Sequence, residues 1–309
     1  MANKNTPKII AVVEALRPIQ WTKNLGIFAS IIINGKLFQA DLLIDTVIAF
    51  ITFCLLSSSS YLINDLIDLD KDRLHPVKKN RPLASGAITK FESIFLAVLL
   101  LFSGLYSAFI INPGFFGLAV FFITLQYLYS ILLKKKALLD ISGIALFFII
   151  RTYAGEVATG YHLPVWLMLS VIFLSLFIAS GKRRSELVSS GKATRQALQG
   201  YSKNLLNFYT SIFAVSTLLS YAMFTFFEEN IIFNGIIHNW LLNNAAWAIN
   251  RKWFMVTLFP VIFGIMRYGQ IIFEMQQGER PEKVMATDLP LLFSLTLWGI
   301  LMITIIYVI

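Results

Sequence analysis

The stretch NDLIDLDKDRLHPVKKNRPLASG, residues 64–86, holds four aspartates and five lysines or arginines in 23 positions. A helix advances ~100° per residue, so Asp65, Asp68 and Asp72 fall within about 60° of one another. Asp70 points roughly 140° from Asp65, and Asn64 lies about 40° from Asp68. Three carboxylates sharing one face repel one another unless a cation stands among them. A hard divalent ion such as Mg2+ suits them: it takes one or two carboxylates, keeps waters and completes its shell with substrate phosphate oxygens. Asn64, Asp65, Asp68 and Asp72 are therefore the candidate metal ligands, with the three aspartates as the candidate catalytic group. The competing reading is a solvated loop whose carboxylates pair with Lys71, Arg73, Lys78 and Lys79.

The elements that carry this cluster are apolar. The 309 residues are 57% hydrophobic and only 14% charged, whereas soluble domains carry roughly 25% charge. Nine apolar runs approach the ~20 residues needed to cross a bilayer: 24–40, 42–63, 91–111, 114–133, 137–158, 164–180, 206–227, 252–275 and 289–308. Lipid leaves no water for unpaired backbone groups, and the period-2 pattern of a barrel is missing, so the fold class is an all-α integral membrane protein with nine transmembrane helices.

The net charge of +9 follows topology rather than nucleic acid. With the N-terminus inside, 21 of the 26 Lys and Arg fall on inner segments, the asymmetry that places basic loops in the cytoplasm. No cleavable leader is evident, and the single cysteine, Cys54, reads as a packing residue. The chain reads as one transmembrane domain, 1–309, with inner loops 64–90, 181–205 and 276–288 as a polar cap. The first two loops follow the second and sixth spans, a weak hint of two four-helix halves. An Asn-rich outer stretch, 228–251, reads as an interfacial amphipathic segment, and His162 and His238 as outer surface residues.

NDLIDLDKD resembles the NDxxDxxxD signature of the UbiA-type intramembrane prenyltransferases. Nine spans with enlarged loops after the second and sixth fit that superfamily along nearly the whole chain. The resemblance implies a helical bundle with a central cavity opening to the cytoplasmic side, where the aspartates hold Mg2+ and Mg2+ holds a diphosphate. Ordinary members carry a second aspartate-rich motif after span six. Here that stretch is SGKRRSEL, 180–187, with Lys182, Arg183 and Arg184 and no aspartate. RPIQWTKN (17–24), DRLHPVKKNRPLASG (72–86), LYSILLKKKALLD (128–140), RTYAG (151–155), GKRRSEL (181–187) and GERPEKVMATD (278–288) are similar to a narrower branch, the polyprenyl-phosphate phosphoribosyltransferases.

That branch implies transfer of 5-phosphoribose from 5-phosphoribosyl 1-diphosphate to a polyprenyl phosphate, releasing diphosphate. The partners it implies are those two substrates and the membrane, with no nucleic acid and a homo-oligomer left open. The site would face the cytoplasm from a bacterial inner membrane. Three phosphate groups exceed what one Mg2+ cluster neutralises, so Lys and Arg should replace the lost aspartates. Lys23, Arg73, Lys78, Lys79, Arg81, Lys134, Lys182 and Arg183 lie on the inner side and are the candidates, with Tyr129 and Glu186 from the matched stretches. Lys134–Lys136 also fit a plain topology signal, and Lys182–Glu186 an ordinary i,i+4 helix pair.

Two arginines lie within spans, where a central Arg costs ~2.5–3.5 kcal/mol and normally has a partner or faces a polar cavity. Arg151 would reach a donor phosphate or a metal-site carboxylate, or else form a structural pair with Glu156 or another helix. Arg267 raises the same question. Asp288 either serves the reaction or caps the last span. Aromatic side chains would line a slot for the lipid tail. Two alternatives remain: an aromatic prenyltransferase using an isoprenyl diphosphate, which should carry the second aspartate cluster, and a transporter, which should show broken midplane helices.

Overall fold

The computed structural model describes residues 7–75, 78–190, 196–228, 237, 240, 243–245, 251–275, 278 and 281–309. Its helices are α1 (Lys8–Leu16), α2 (Ala29–Ile33), α3 (Ala40–Ile67), α4 (Leu69–Leu74), α5 (Lys90–Ile111), α6 (Pro113–Ile131), α7 (Leu139–Thr159), α8 (Val165–Ser190), α9 (Lys203–Phe227), α10 (Leu258–Phe273), α11 (Pro281–Thr287) and α12 (Leu289–Tyr307). Among the described residues eight helical segments are long and apolar enough to cross a membrane: α3 and α5–α9, α12, and α10 with the 3-10 turns that precede it. They coincide with the second to ninth expected spans.

The expected first span, 24–40, is not a regular helix. It begins as 3-10 turns over Pro18–Phe28, becomes the short α2, and ends in turns around Gly35. The sixth span also runs further than its apolar stretch, because α8 continues to Ser190. Lys, Arg, Glu and Leu are good helix formers, and a helix need not stop where the hydrocarbon does. Most of the expected interfacial segment 228–251, including His238, lies outside the described residues. So do 76–77 of the first inner loop, 191–195 of the second, and 276, 277, 279 and 280 of the third.

The residues group into two compact units. The first comprises Met1–Phe28, Asp41–Ile131 and Ile150–Gly160; the second comprises Ala29–Ala40, Leu132–Ile149 and Tyr161–Ile309. In the first unit α5 shows how lipid and protein faces divide. Phe91, Phe95, Leu99, Phe102, Tyr106 and Phe109 recur every three or four residues and are exposed, which suits acyl chains. Its opposite face is small: Ser93, Ala97, Gly104 and Ala108 are buried. Small residues let helices approach closely in lipid, and a Cβ on Gly104 would lie 2.9 Å from Leu56 Cδ2 on α3. Ser59 of α3 donates to the Ala97 carbonyl at 2.7 Å. A capping box opens α5: Thr89 Oγ1 accepts from Glu92 N, and Glu92 Oε2 accepts from Thr89 N.

In the second unit α8 and α9 pack on α10 and α12. Tyr221 of α9 is buried there, its hydroxyl within 2.6 Å of Thr257 Oγ1 and accepting from Trp298 Nε1 at 2.7 Å. Ser294 donates to the Pro260 carbonyl at 2.6 Å. Beside these contacts lies an apolar cavity of about 340 Å³, with Ile33, Leu167, Phe177, Val261, Leu295 and Met302 among its walls.

Candidate active site

The first unit carries the acidic cluster at the end of α3. Helix α3 ends at Ile67 and α4 begins at Leu69, so Asp68 stands at a break, with φ −93° and ψ 6°. The expected face nevertheless survives. Asp68 N donates to the Asn64 carbonyl at 3.0 Å and Asp72 N to the Asp68 carbonyl at 2.9 Å, which carries the i→i−4 ladder across the break. Asp65 and Asp72 are buried and Asp70 is exposed, as the helical angles require. The Asp68 carboxylate does not cap α4.

Cations surround the two buried carboxylates. Arg81 Nη1 donates to Asp65 Oδ1 at 2.9 Å and to Asp72 Oδ2 at 2.6 Å, bridging them. Lys78 Nζ lies 3.9 Å from Asp72 Oδ1. Arg17 Nη2 donates to Asp65 Oδ1 at 2.5 Å, and its guanidinium lies over the Tyr61 ring, 5.1 Å from the centroid. Of the four cations the loop reading named, Lys78 is joined to an acid, while Lys71, Arg73 and Lys79 are exposed; the bridging Arg81 was not among the four. Sequence reasoning overlooked Arg17. The signal was its place at the head of RPIQWTKN; its reach to Asp65 depends on a backbone turn that composition does not reveal.

Arg151 is buried in the same unit. It donates through Nε to Asn24 Oδ1 at 2.6 Å and through Nη2 to Ser57 Oγ at 3.4 Å, and lies over the Phe122 ring. This contact joins two of the matched stretches, RTYAG and RPIQWTKN. Gly155, one turn after Arg151 and on the same face, makes it fit: a Cβ there would lie 2.1 Å from the Ile27 carbonyl oxygen. Lys23, in the same 3-10 segment, is half-buried and donates to Gln20 Oε1 at 2.5 Å.

The second unit holds the basic cluster at the end of α8. Arg183 is fully buried and ion-paired with both Asp140 and Glu186, so Glu186 serves Arg183 as well as any partner at Lys182. Arg184 is a brace: Nε donates to Asn207 Oδ1 at 2.7 Å and Nη1 to the Ile272 carbonyl at 2.6 Å, with the guanidinium 4.2 Å from the Phe273 ring centroid. Tyr201 accepts from Leu138 N at 2.7 Å, and burial pushes its phenol up to about 12, so it stays neutral beside Arg183. Lys182 and Lys134 are half-buried, as is Tyr129 in the first unit. Arg267 forms a two-point pair with Asp288, Nε to Oδ1 at 3.1 Å and Nη2 to Oδ2 at 2.7 Å, and Asp288 also caps α12 by accepting from Leu291 N.

The profile of the UbiA prenyltransferase family matches residues 27–254. The chain belongs to that family. Decaprenyl-phosphate phosphoribosyltransferase of Mycolicibacterium smegmatis is 32% identical over 94% of this chain and 90% of its own length. The enzyme of the same name from Corynebacterium glutamicum is 30% identical over 99% of this chain and 90% of its own. A UbiA homolog from Archaeoglobus fulgidus, solved bound to GPP and Mg2+, superimposes with a TM-score of 0.68 at 20% identity, covering 95% of this chain and 99% of that one. The all-helical architecture of this multi-pass membrane protein is therefore the UbiA fold.

Within this UbiA chain the acidic face fits a hard cation. Its donors are oxygens, the kind Mg2+ prefers. Asn64 Oδ1 is buried without a hydrogen-bond partner among the described residues, a cost that a ligand would relieve. Among the described residues no three acidic, His or Cys side chains converge into a complete cage. Mg2+ does not need one, since it fills its shell with water and substrate phosphate.

Proposed function

We propose that this protein transfers the 5-phosphoribosyl group of 5-phosphoribosyl 1-diphosphate to a polyprenyl phosphate in a Mg2+-dependent reaction that releases diphosphate. The observation that carries the reading is the acid face Asn64–Asp72, ringed by Arg17, Lys78 and Arg81, on a chain similar over more than nine tenths of its length to decaprenyl-phosphate phosphoribosyltransferases. The stretch 180–187 carries Lys182 and no aspartate where a second acidic motif would serve an isoprenyl diphosphate enzyme, which agrees with a donor richer in phosphate.

Asn64, Asp65, Asp68 and Asp72 would hold Mg2+, which when bound supplies positive charge to a departing diphosphate. Arg81 and Lys78 bind the donor diphosphate; Arg81, now bridging two carboxylates, is the side chain whose partner changes as the anion arrives. Lys23, Arg73, Lys134 and Lys182 are candidates for the remaining phosphates. An acceptor phosphate oxygen, already anionic at neutral pH, attacks ribose C1 as the C1–diphosphate bond breaks with oxocarbenium character. It needs positioning and exclusion of water rather than a strong base, and in-line attack inverts C1. Arg151, buried and bound to Asn24, orients the Pro18–Phe28 segment that carries Lys23.

The same proposal places the acidic cluster and the N-terminus on the cytoplasmic side of a bacterial inner membrane. It counts nine passes, the first being the broken segment that ends in α2. Purified protein in detergent, given 5-phosphoribosyl 1-diphosphate, Mg2+ and a series of polyprenyl phosphates, should yield phosphoribosyl lipid by mass spectrometry. Prenylation of an aromatic acceptor from an isoprenyl diphosphate, with no phosphoribosyl lipid formed, would overturn the reading.

A further inference from the structure

Arg17 is placed at a cost. It is the C-cap of α1 with φ 56° and ψ 60°, the left-handed conformation in which glycine is the usual residue because a Cβ is strained there. Such a conformation persists only where the surrounding contacts hold it. Its guanidinium lies on the Tyr61 ring and reaches Asp65 Oδ1, and Tyr61 and Asp65 are one turn apart on the same face of α3. Arg81 meets the same oxygen. Among the described residues, both ion pairs of Asp65 therefore fall on Oδ1 and neither on Oδ2. The two arginines differ in how firmly they are tied. Arg81 is shared with Asp72, whereas Arg17 is anchored by its ring contact and by a helix end.

We propose that Arg17 is a positioning residue for the metal site: it fixes the rotation of the Asp65 carboxylate through Oδ1 and leaves Oδ2 as the ligand oxygen. The inference rests on the metal reading above. Carboxylate ligands held by a second layer of hydrogen bonds typically lose 10–100-fold in metal affinity when that layer is removed. A cation that were only a counter-ion would act in the opposite sense, since removing it would strengthen binding of a divalent ion.

The test is a titration of the full-length protein in detergent with Mn2+ and equimolar inorganic diphosphate, following immobilised Mn2+ by electron paramagnetic resonance, with melting temperature recorded in parallel. Arg17→Gly and Arg17→Ala should both raise the half-saturating concentration about 10–100-fold. Arg17→Gly should melt above Arg17→Ala because glycine relaxes the backbone, so affinity and stability part company, as a merely structural role would not allow. Tyr61→Leu, which leaves the arginine but removes its platform, should share the loss. Arg17→Lys should not restore binding, since a point charge lacks the planar fork. The inference is overturned by wild-type or tighter Mn2+ binding in Arg17→Gly, by full recovery in Arg17→Lys, or by affinity that tracks melting temperature across the series. Unaltered binding in Asp65→Asn would instead sink the metal reading itself, and the inference with it.

Discussion

Two long helices end in charge, and the two ends are built differently. At the end of α3, Asp65 and Asp72 are buried while the arginines that meet them are part-exposed, with Arg17 at 27% and Arg81 at 31%. At the end of α8 the polarity is reversed: Arg183 and Arg184 are the buried groups, and each has its partners inside the fold. A part-exposed cation shared between two buried acids, as Arg81 is, can change partners when an anion or metal arrives. A buried cation between two acids cannot, because withdrawing it strands charge in a medium of low dielectric. The acidic end is thus equipped for exchange and the basic end for support. Of the basic candidates in the last turns of α8, Lys182 remains the better suited to meet a phosphate, and Arg183 the worse.

The hardest way to break this contrast is Arg183→Met. It leaves Asp140, fully buried, without that partner, and should cost about 3–5 kcal/mol, read as a loss of folded protein in thermal unfolding in detergent. Adding Asp140→Asn should recover part of it, because the two residues form one interacting pair. Unchanged stability in the single variant would mean the α8 end is as exchangeable as the α3 end. Next is Asp68→Ala, which should lower phosphoribosyl transfer by ~10²–10³-fold with little change in melting temperature, since the ladder that crosses the break is made by backbone groups. A parallel drop in stability would turn the acidic end into scaffold.

Gly155→Ala sharpens a third case. Arg151, like Arg183, is buried, and Asn24 and Ser57 are among the groups that tie it in. A methyl group 2.1 Å from the Ile27 carbonyl must push α7 from the Pro18–Phe28 segment and should cost ~1–3 kcal/mol, the usual range for overpacking. If Arg151 serves that segment, the variant should also raise KM for the donor, measured at fixed Mg2+.

Much of this was legible in the sequence because it depends on local periodicity. The eight spans follow from apolar length, and the burial of Asp65 and Asp72 with exposure of Asp70 follows from ~100° per residue, even across the break at Asp68. The fate of Arg183 was not legible, because its partner Asp140 lies 43 residues away and only tertiary packing brings them together. Arg17 was missed since a left-handed helix end is normally read from glycine. The first span was expected as one helix because an apolar run does not distinguish i→i+3 from i→i+4 bonding, nor foresee the turn at Gly35, whose φ is 68°.

Arg267 and Asp288 form the intermediate case, part-exposed on both sides at 19% and 16%, and their effect should be the smallest. The hydrogen bonds from Arg267 hold the Asp288 carboxyl below its usual range, with Leu291 N–H helping, against a smaller opposing effect of burial. An unfolded chain has an aspartate pKa of ~3.9. A carboxyl whose folded value is lowered contributes stability that is complete above about pH 4 and is lost as pH falls through the lowered value. Asp288→Asn removes this titration yet keeps the cap, because asparagine caps a helix as well as aspartate. Wild type should therefore melt above the variant at pH 7, and the gap should close on acidification below about pH 4. Other carboxylates titrate in both proteins and cancel in the difference. A gap that stays constant with pH would show that the pair adds nothing beyond the cap, and that a charge needs deeper burial than this to be part of the support.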